Sequence, residues 1–423
     1  MGRVARLPWG MAAATVLTGL GAGGGGILMT IVLHAVEHAA FGYQEGSFGA
    51  GVQQAPHWRR VAGLAGGGLV TGVGWWLFRT RVHQPVSVTG AVREGRPLPL
   101  LPATADALLQ ITAVGAGASL GREGAPRQIG AAFAGWLAAR FGLSAGQRRT
   151  LLACGAGAGL TAIYNVPIGG ALFTLEILLH SIALEDVLPA VVTSGIATVV
   201  TWPVLGNGPT YQVAPVSITA SLLVATIAIG PAAGLIGHLF RHLATLGRES
   251  APHGWRAAVL IPVTFACLGA VAIAYPDLLG NGKALAQFDF DARVPTTTAL
   301  AFVWLKPLAT AACLRAGAIG GLLTPSFATG ASLGLALGAG WTALWPAGAT
   351  TAFAITAAGA LLAVTQRAPL TAVILAVEFT RVGERLLVPL VLATGLALGT
   401  SALVDRLPSL RQVWWSARRR GRS

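Results

Sequence analysis

The sequence predicts an all-α polytopic membrane protein built from two related halves, with short and broken helices meeting at a mid-membrane site. Three observations carry this. The 423 residues are 54% hydrophobic and only 10% charged, with a mean hydropathy of +0.67, whereas a soluble domain is about 25% charged. The long apolar runs are interrupted twice by Gly/Pro-rich segments, Gly121-Arg122-Glu123-Gly124-Ala125-Pro126 and Gly320-Gly321-Leu322-Leu323-Thr324-Pro325. Two spacings also recur in the same order. Gly121 and Pro126 are five apart, as are Gly320 and Pro325; Pro167 and Glu176 are nine apart, as are Pro369 and Glu378. Chance matching in a Gly/Ala-rich chain is the competing account. An internal repeat, often inverted in topology, would frame a site at its interface.

Composition excludes several classes. The 57 glycines suit membrane helices, which pack closely through small residues. No hydrophilic stretch is long enough for a soluble domain. The net charge of +14 comes from basic residues lying between apolar runs, which fix topology and do not build the solvated basic face that nucleic-acid binding needs. Arg3 and Arg6 precede the first span, and Arg411, Arg418, Arg419, Arg420 and Arg422 follow the last. The positive-inside rule then puts both ends in the cytoplasm, with an even number of crossings, in a bacterial-type cell membrane. The first apolar run has no convincing signal-peptide cleavage site and reads as a retained span. Cys154, Cys267 and Cys313 show neither metal-ligand nor disulfide spacing. No cofactor is expected.

Taken in order, residues 9–33 form the first long helix, ending in His34-Ala35-Val36-Glu37-His38. That string matches the His-x-x-Glu-His zinc-protease pattern, but five-residue patterns match by chance often, and a solvated helix end at the interface is the better account. Residues 41–60 read as a polar loop, and 61–78 as a span anchored by Trp75 and Trp76. A polar connection follows, containing His83. Residues 103–116 are too short to cross about 30 Å of hydrocarbon; they run into the Glu123 loop, and 131–141 continue beyond it. Further helices are expected at 151–160, 188–204, 216–243, 257–273, 298–314, 331–344, 352–364 and 386–403, with Pro-started segments at Pro167 and Pro369. The polar stretch 247–256 suggests halves at 1–245 and 246–405, followed by a short basic tail at 406–423 and no regulatory domain.

Glu123 is the residue of most consequence. A carboxylate at membrane depth costs roughly 2.5–3.5 kcal/mol on insertion scales, which makes it a functional candidate by default. Glycines before a helix leave N–H groups uncovered, and a helix N-terminus carries about +0.5 charge. Glu123 therefore belongs where an anion could bind, and could block it. A salt bridge to Arg122 that merely holds the loop is the alternative.

These residues resemble the CLC chloride channels and chloride/proton antiporters. Gly121 to Gly124 look like that family's central motif, and Gly320 to Pro325 are similar to its Gly-Gly-Ile-Phe-Ala-Pro loop. The segments from Asn165 to Glu176 and from Arg367 to Glu378 also look like family segments, so the resemblance spans nearly the whole chain. It implies a homodimer in the bilayer, one pore per subunit, and chloride as the transported ion, with no enzymatic activity. It makes Glu123 the gating glutamate, competing with anions when ionised and swinging away when protonated. Gly121, Arg122, Gly124, Gly321, Leu322 and Leu323 would line the anion site, the last two through backbone N–H groups.

The chain also departs from the family. The usual Gly-Ser-Gly-x-Pro loop, whose serine hydroxyl touches the anion, is absent; His83 falls near the place of that serine and could donate an N–H to the anion, an interfacial histidine being the alternative. In the family a tyrosine of the last helix supplies a second hydroxyl to the anion; here the final tyrosine is Tyr275, so that hydroxyl is missing, and Leu323 replaces a phenylalanine. The second, inner glutamate of the antiporters would stand at Ile177. Glu176 could deliver protons in its place, so channel and exchanger both stay open. An intramembrane zinc protease on His34, Glu37 and His38, and a cation or solute carrier on another repeat, are the rival readings. Few intramembrane acids and Gly/Pro breaks that precede helices favour anions over cations.

Overall fold

The computed structural model describes residues 9–81, 87–345 and 349–406. Among them eight helices are long and apolar enough to cross a membrane, interleaved with shorter apolar helices. The first half comprises α1 (Trp9–Phe41), α2 (Phe48–Gln54), α3 (His57–Arg81), α4 (Val88–Glu94), α5 (Leu100–Gly115), α6 (Gly124–Arg140), α7 (Ala145–Tyr164), α8 (Pro167–Leu172) and α9 (Leu184–Leu205). A π-helical segment, Phe173–Leu179, continues α8. The second half comprises α10 (Ala220–Glu249), α11 (Trp255–Ala274), α12 (Lys283–Phe290), α13 (Thr296–Arg315), α14 (Leu323–Leu344), α15 (Thr350–Gln366), α16 (Pro369–Thr380) and α17 (Leu387–Arg406).

The repeat is visible in packing and in backbone. α1 packs on α5, α7 and α9, as α10 packs on α13, α15 and α17. α5 and α13 both end in left-handed glycines, Gly117 (φ 108°) and Gly317 (φ 102°). α7 and α15 both end in left-handed residues, Asn165 (φ 56°) and Arg367 (φ 54°), two positions before the prolines that start α8 and α16. Proline suits that place, because the first helical N–H has no partner to lose.

Small residues let these helices meet. A Cβ on Gly130 or Gly155 would run into the other's carbonyl, so α6 and α7 touch backbone to backbone. Gly330 and Gly334 bring α14 against α15 in the same way. α5 is only 16 residues long, about 24 Å at 1.5 Å per residue, shorter than the roughly 30 Å of a bilayer's hydrocarbon core.

Several boundaries move. The expected division at 245/246 falls inside α10, which packs mainly on α13, α15 and α17. The polar stretch at 247–256 is only the tight link from α10 to α11. α1 runs on to Phe41, so the His34–His38 string is itself helical and falls in the last turns of α1, with His38 in the final one. The 41–60 loop contains α2, and α12 arises in a stretch where no element was expected. The basic tail beyond Arg406 and His83 lie outside the described residues.

Candidate functional site

The two broken segments meet at their glycines. Gly121 and Gly321 exchange a pair of backbone hydrogen bonds, N–H to O at 2.8 and 2.9 Å. This bridge sets the start of α6 beside the start of α14. Both N-termini, with their uncovered amides and positive dipole ends, converge on one point, and Glu123 fills it.

Glu123 stands at the N-cap of α6 and is fully buried. Its Oε1 accepts the N–H of Leu323, the first residue of α14, at 2.8 Å. Its Oε2 lies 3.4 Å from the Tyr164 hydroxyl and 3.5 Å from that of Thr324. Those contacts exceed the 2.5–3.0 Å usual for hydroxyl donors, so the amide holds the carboxylate most firmly. Among the described residues no cationic side chain lies within salt-bridge distance of it. A Cβ at Gly121 or Gly321 would collide with the carboxylate, so glycine at both places is what gives it room.

The neighbouring predicted residues separate by role. Arg122 does not pair with Glu123, which answers the salt-bridge alternative. It donates to the Ile163 carbonyl at 3.2 Å and lies over the Tyr164 ring at 5.1 Å, within reach of a cation–π attraction. Gly124 opens α6 against the Gln110 side chain. Leu323 is buried beside the carboxylate, while Leu322 caps α14 and is half-buried.

Tyr164 corrects an expectation. The absence of a late tyrosine implied a missing hydroxyl, yet one reaches the site from the first half. Tyr164 ends α7 just before the Asn165-Val166-Pro167 break, and a buried phenol must find a polar partner. That combination of tyrosine, helix end and Pro break was the available signal.

Two cavities flank Glu123, and neither is lined by it. One, of about 640 Å³, is lined by His34, Glu37, His38, Tyr43, Arg122 and Lys283, among others. There the Tyr43 hydroxyl donates to Glu37 Oε2 at 3.0 Å. Among the described residues no three His, Cys, Asp or Glu side chains converge as metal ligands. The other cavity, of about 630 Å³, is lined by Arg79, Arg127, Arg248, Gly124, Gly321 and Leu322, among others. Its buried Asp106 accepts from Trp75 Nε1 at 2.8 Å, Gln110 Nε2 at 2.9 Å and Gln128 Nε2 at 3.0 Å. Sequence reasoning missed this cluster because an Asp between short apolar stretches carries no motif.

Glu176 is elsewhere. Its two oxygens accept the N–H groups of Leu370 (3.1 Å) and Thr371 (2.7 Å) and the Thr371 hydroxyl (2.6 Å), at the start of α16. Glu378 does the same for α8, accepting from Ile168 at 3.0 Å and Gly169 at 2.6 Å. Each acid caps the other's helix, which requires the two Pro-started segments to run antiparallel. The matched nine-residue spacing thus records a reciprocal cap between inverted halves.

Comparison with known proteins agrees with this geometry. Residues 66–402 match the family described as voltage gated chloride channel. A ClcB-like protein of Ralstonia nicotianae is 32% identical over 361 residues, 80% of this chain and 81% of that one. The voltage-gated ClC-type chloride channel ClcB of Citrobacter koseri is 29% identical over 347 residues, 78% and 81% of the two chains. Among solved structures, a slow cyanobacterial Cl⁻/H⁺ antiporter superposes with a TM-score of 0.82 at 21% identity, covering 94% of this chain and 95% of that one. A CLC-type fluoride/proton antiporter gives 0.74 at 20% identity, covering 92% and 95%. With its inverted repeat, its two facing helix N-termini and a family match over most of its length, the chain belongs to the voltage-gated chloride channel (CLC) family.

Proposed function

We propose that this protein moves chloride or a similar small anion across the membrane through a site that the Glu123 carboxylate occupies and releases. One observation carries the reading. A fully buried carboxylate is held by a backbone N–H at 2.8 Å, with two hydroxyls facing it and, among the described residues, no cation paired to it. Such donors solvate any small anion equally well, and fixed dipoles hold it without the grip of a full charge, as conduction requires. When Glu123 is ionised it fills the place; when it is protonated or swung aside, the transported anion does.

Gly121, Arg122, Gly124, Gly321, Leu322 and Leu323 build that place, with Tyr164 and Thr324 as hydroxyl donors. We leave Glu176 out of the proton route, since its oxygens are committed to the α16 N-terminus. We assign the Arg127 cavity to the cytoplasmic side. Arg79, Arg127, Arg241 and Arg248 line it, and Arg241 pairs with Asp405 at the end of α17, so this basic face also holds the end of the last helix, as the positive-inside rule asks. We assign the second subunit to the exposed apolar face formed by Leu184, Leu188 and Val191 of α9 and by Val388 and Val391 of α17.

The test is anion efflux from liposomes with internal pH recorded together, for the native protein and Glu123→Gln. Native flux is expected to change with pH and the variant's flux to be flat. An unchanged pH profile in a folded Glu123→Gln dimer would overturn the gating role. Uphill proton movement driven by a chloride gradient would identify an exchanger; anion flux without protons would identify a channel.

A further inference from the structure

The cavity of about 640 Å³ carries a series of titratable groups that the anion site does not use. His34, Glu37 and His38 are three and four residues apart on α1, and so share one helix face. The rings of His34 and His38 lie nearly parallel with centroids 6.4 Å apart, and His38 meets the Tyr43 ring edge-on at 4.6 Å. The Tyr43 hydroxyl closes the series on Glu37 Oε2 at 3.0 Å. All four line the cavity; the histidines are exposed, Tyr43 is half-buried and Glu37 is buried. The series thus runs from water inward, through imidazole and phenol to a carboxyl.

Packing sets this series beside the Glu123 loop. A Cβ on Gly115, the last residue of α5, would run into Val36 and the Leu33 carbonyl, and one on Gly117 into the Phe41 ring. The turn of α1 that bears Glu37 therefore lies against the start of the loop that ends in Glu123, and Arg122, the chain neighbour of Glu123, lines the same cavity. The remaining charges of the wall are cations or already committed. Arg122 and Lys283 of α12 line it, and among the described residues neither comes within salt-bridge distance of Glu37. Arg293 pairs with Asp291 at 3.3 Å, and Asp291 also accepts from Gln287 Nε2 at 2.9 Å. Of the helices packed on α1, α3 brings Arg59, which donates to the Ala39 and Ala40 carbonyls at 3.1 and 3.2 Å. Among the described residues α2, α5, α6, α7 and α9 bring no titratable side chain to the wall. Arg122 and Lys283 repel a hydronium ion entering the cavity. Imidazole, which titrates near neutrality, and a carboxyl can carry a proton along the opposite wall.

We propose that Glu37 exchanges protons with Glu123 on this side of the membrane, with His34, His38 and Tyr43 connecting it to the outer solution. The proposal rests on the reading of Glu123 as a carboxylate that occupies and releases the anion site, and adds the route by which it is protonated. The Glu37 carboxyl gives its proton, through water in the cavity, to a Glu123 carboxylate oxygen. The Glu37 carboxylate then takes a proton from a His34 or His38 imidazolium, and the imidazole regains one from the outer solution. The cavity has room for that water, since one molecule takes about 30 Å³. Each transfer is reversible, so the route serves a channel gate and an exchanger alike. Such a relay changes how fast Glu123 takes up a proton and leaves the final balance as it was.

Right-side-out membrane vesicles from cells making the full-length protein present this cavity to the bath, and vesicles lacking the protein give the blank. Chloride flux is followed with an internal dye after the bath is acidified by stopped flow. Native flux is expected to settle at a new level at a measurable rate. Glu37→Gln should slow that approach about tenfold and still reach the native level, and Glu37→Asp should recover part of the rate. His34→Gln combined with His38→Gln should slow it as well. Tyr43→Phe should also slow it, and tests the link even if Glu37→Gln fails to fold. In Glu123→Gln the flux should not respond to the bath. A native rate in both Glu37→Gln and Tyr43→Phe overturns the relay alone. So does a changed final level at an unchanged rate, because Glu37 would then act through its charge. A response in Glu123→Gln overturns the reading of Glu123, and the relay with it.

Discussion

The two halves of the molecule fold alike at their breaks but carry opposite chemistry there. α5 and α13 end in left-handed glycines, and the following loops pair at Gly121 and Gly321. After the first, the chain presents the carboxylate of Glu123; after the second, it presents the bare N–H of Leu323 that receives it. The divergence extends down the preceding helices. Counted at an offset of 200, the one that carries Gly117 at the end of α5 onto Gly317 at the end of α13, the position of Asp106 on α5 is that of Lys306 on α13. Both are buried. Asp106 accepts three side-chain N–H donors, whereas Lys306 donates to the carbonyls of Leu278 and Gly280 at 2.8 and 2.7 Å. By contrast Glu176 and Glu378 remain identical, because each closes the other half's helix. Repetition supplied the geometry, and single substitutions within it divided donor from acceptor.

The buried charges should show the largest effect. Removing one member of a buried polar arrangement leaves its partners without solvent or hydrogen bond, at about 3–5 kcal/mol. Asp106→Ala strands three side-chain donors, and Lys306→Met strands two carbonyls. Both variants are expected to lower the melting temperature of the detergent-solubilised protein substantially, Asp106→Ala at least as much as Lys306→Met. Thermal unfolding followed by circular dichroism measures this. A variant that melts with the native protein would mean that its site is wet, and the opposed-charge comparison would break at that position.

Next comes the bridge. A Cβ at Gly321 would stand where the Glu123 carboxylate lies. The obstructed group is the far end of a flexible side chain, so Gly321→Ala should fold and move the carboxylate out. We expect flux at neutral pH to rise about tenfold, equivalent to about 1.4 kcal/mol, and the pH profile to flatten as in Glu123→Gln. Stopped-flow or electrode recording of efflux checks it. A native pH profile in Gly321→Ala would show that the carboxylate does not need the space between the glycines.

Much of this was legible in the sequence, for identifiable reasons. Apolar runs, Gly/Pro breaks and the repeated spacings are local, so the helices around Glu123 and the pairing of the halves could be read directly. What escaped depends on the third dimension. The expected division at 245/246 falls inside α10, and no local composition announces the packing of that helix on α13, α15 and α17. Tyr164 and Asp106 lie 41 and 17 positions from Glu123 in the chain. Nothing in the chain order tells that one turns its hydroxyl toward Glu123 while the other gathers Gln110, Gln128 and Trp75. The His34–His38 string shows the limit of spacing from the other side. Its spacing fits a metal site, but spacing on one helix cannot supply the third ligand.

The smallest effect sharpens the comparison most. Glu176 holds the start of α16 through two N–H groups and the Thr371 hydroxyl; Glu378 holds the start of α8 through two N–H groups alone, because Gly169 stands where α16 has Thr371. A carboxylate at a helix N-terminus is worth about 1 kcal/mol through the cap and the dipole together. Glu378→Gln should therefore cost about that amount, and Glu176→Gln slightly more, since it also weakens the hydroxyl contact. Chemical denaturation of the two variants under identical conditions gives both values. If the acids only close each other's helices, the two variants lose stability nearly equally and keep native flux and native proton movement. If Glu176→Gln abolishes proton movement while Glu378→Gln leaves it intact, the reciprocal caps conceal an asymmetry. Glu176 would then carry protons after all, and the two halves would differ in a third place besides the gate and the buried charges.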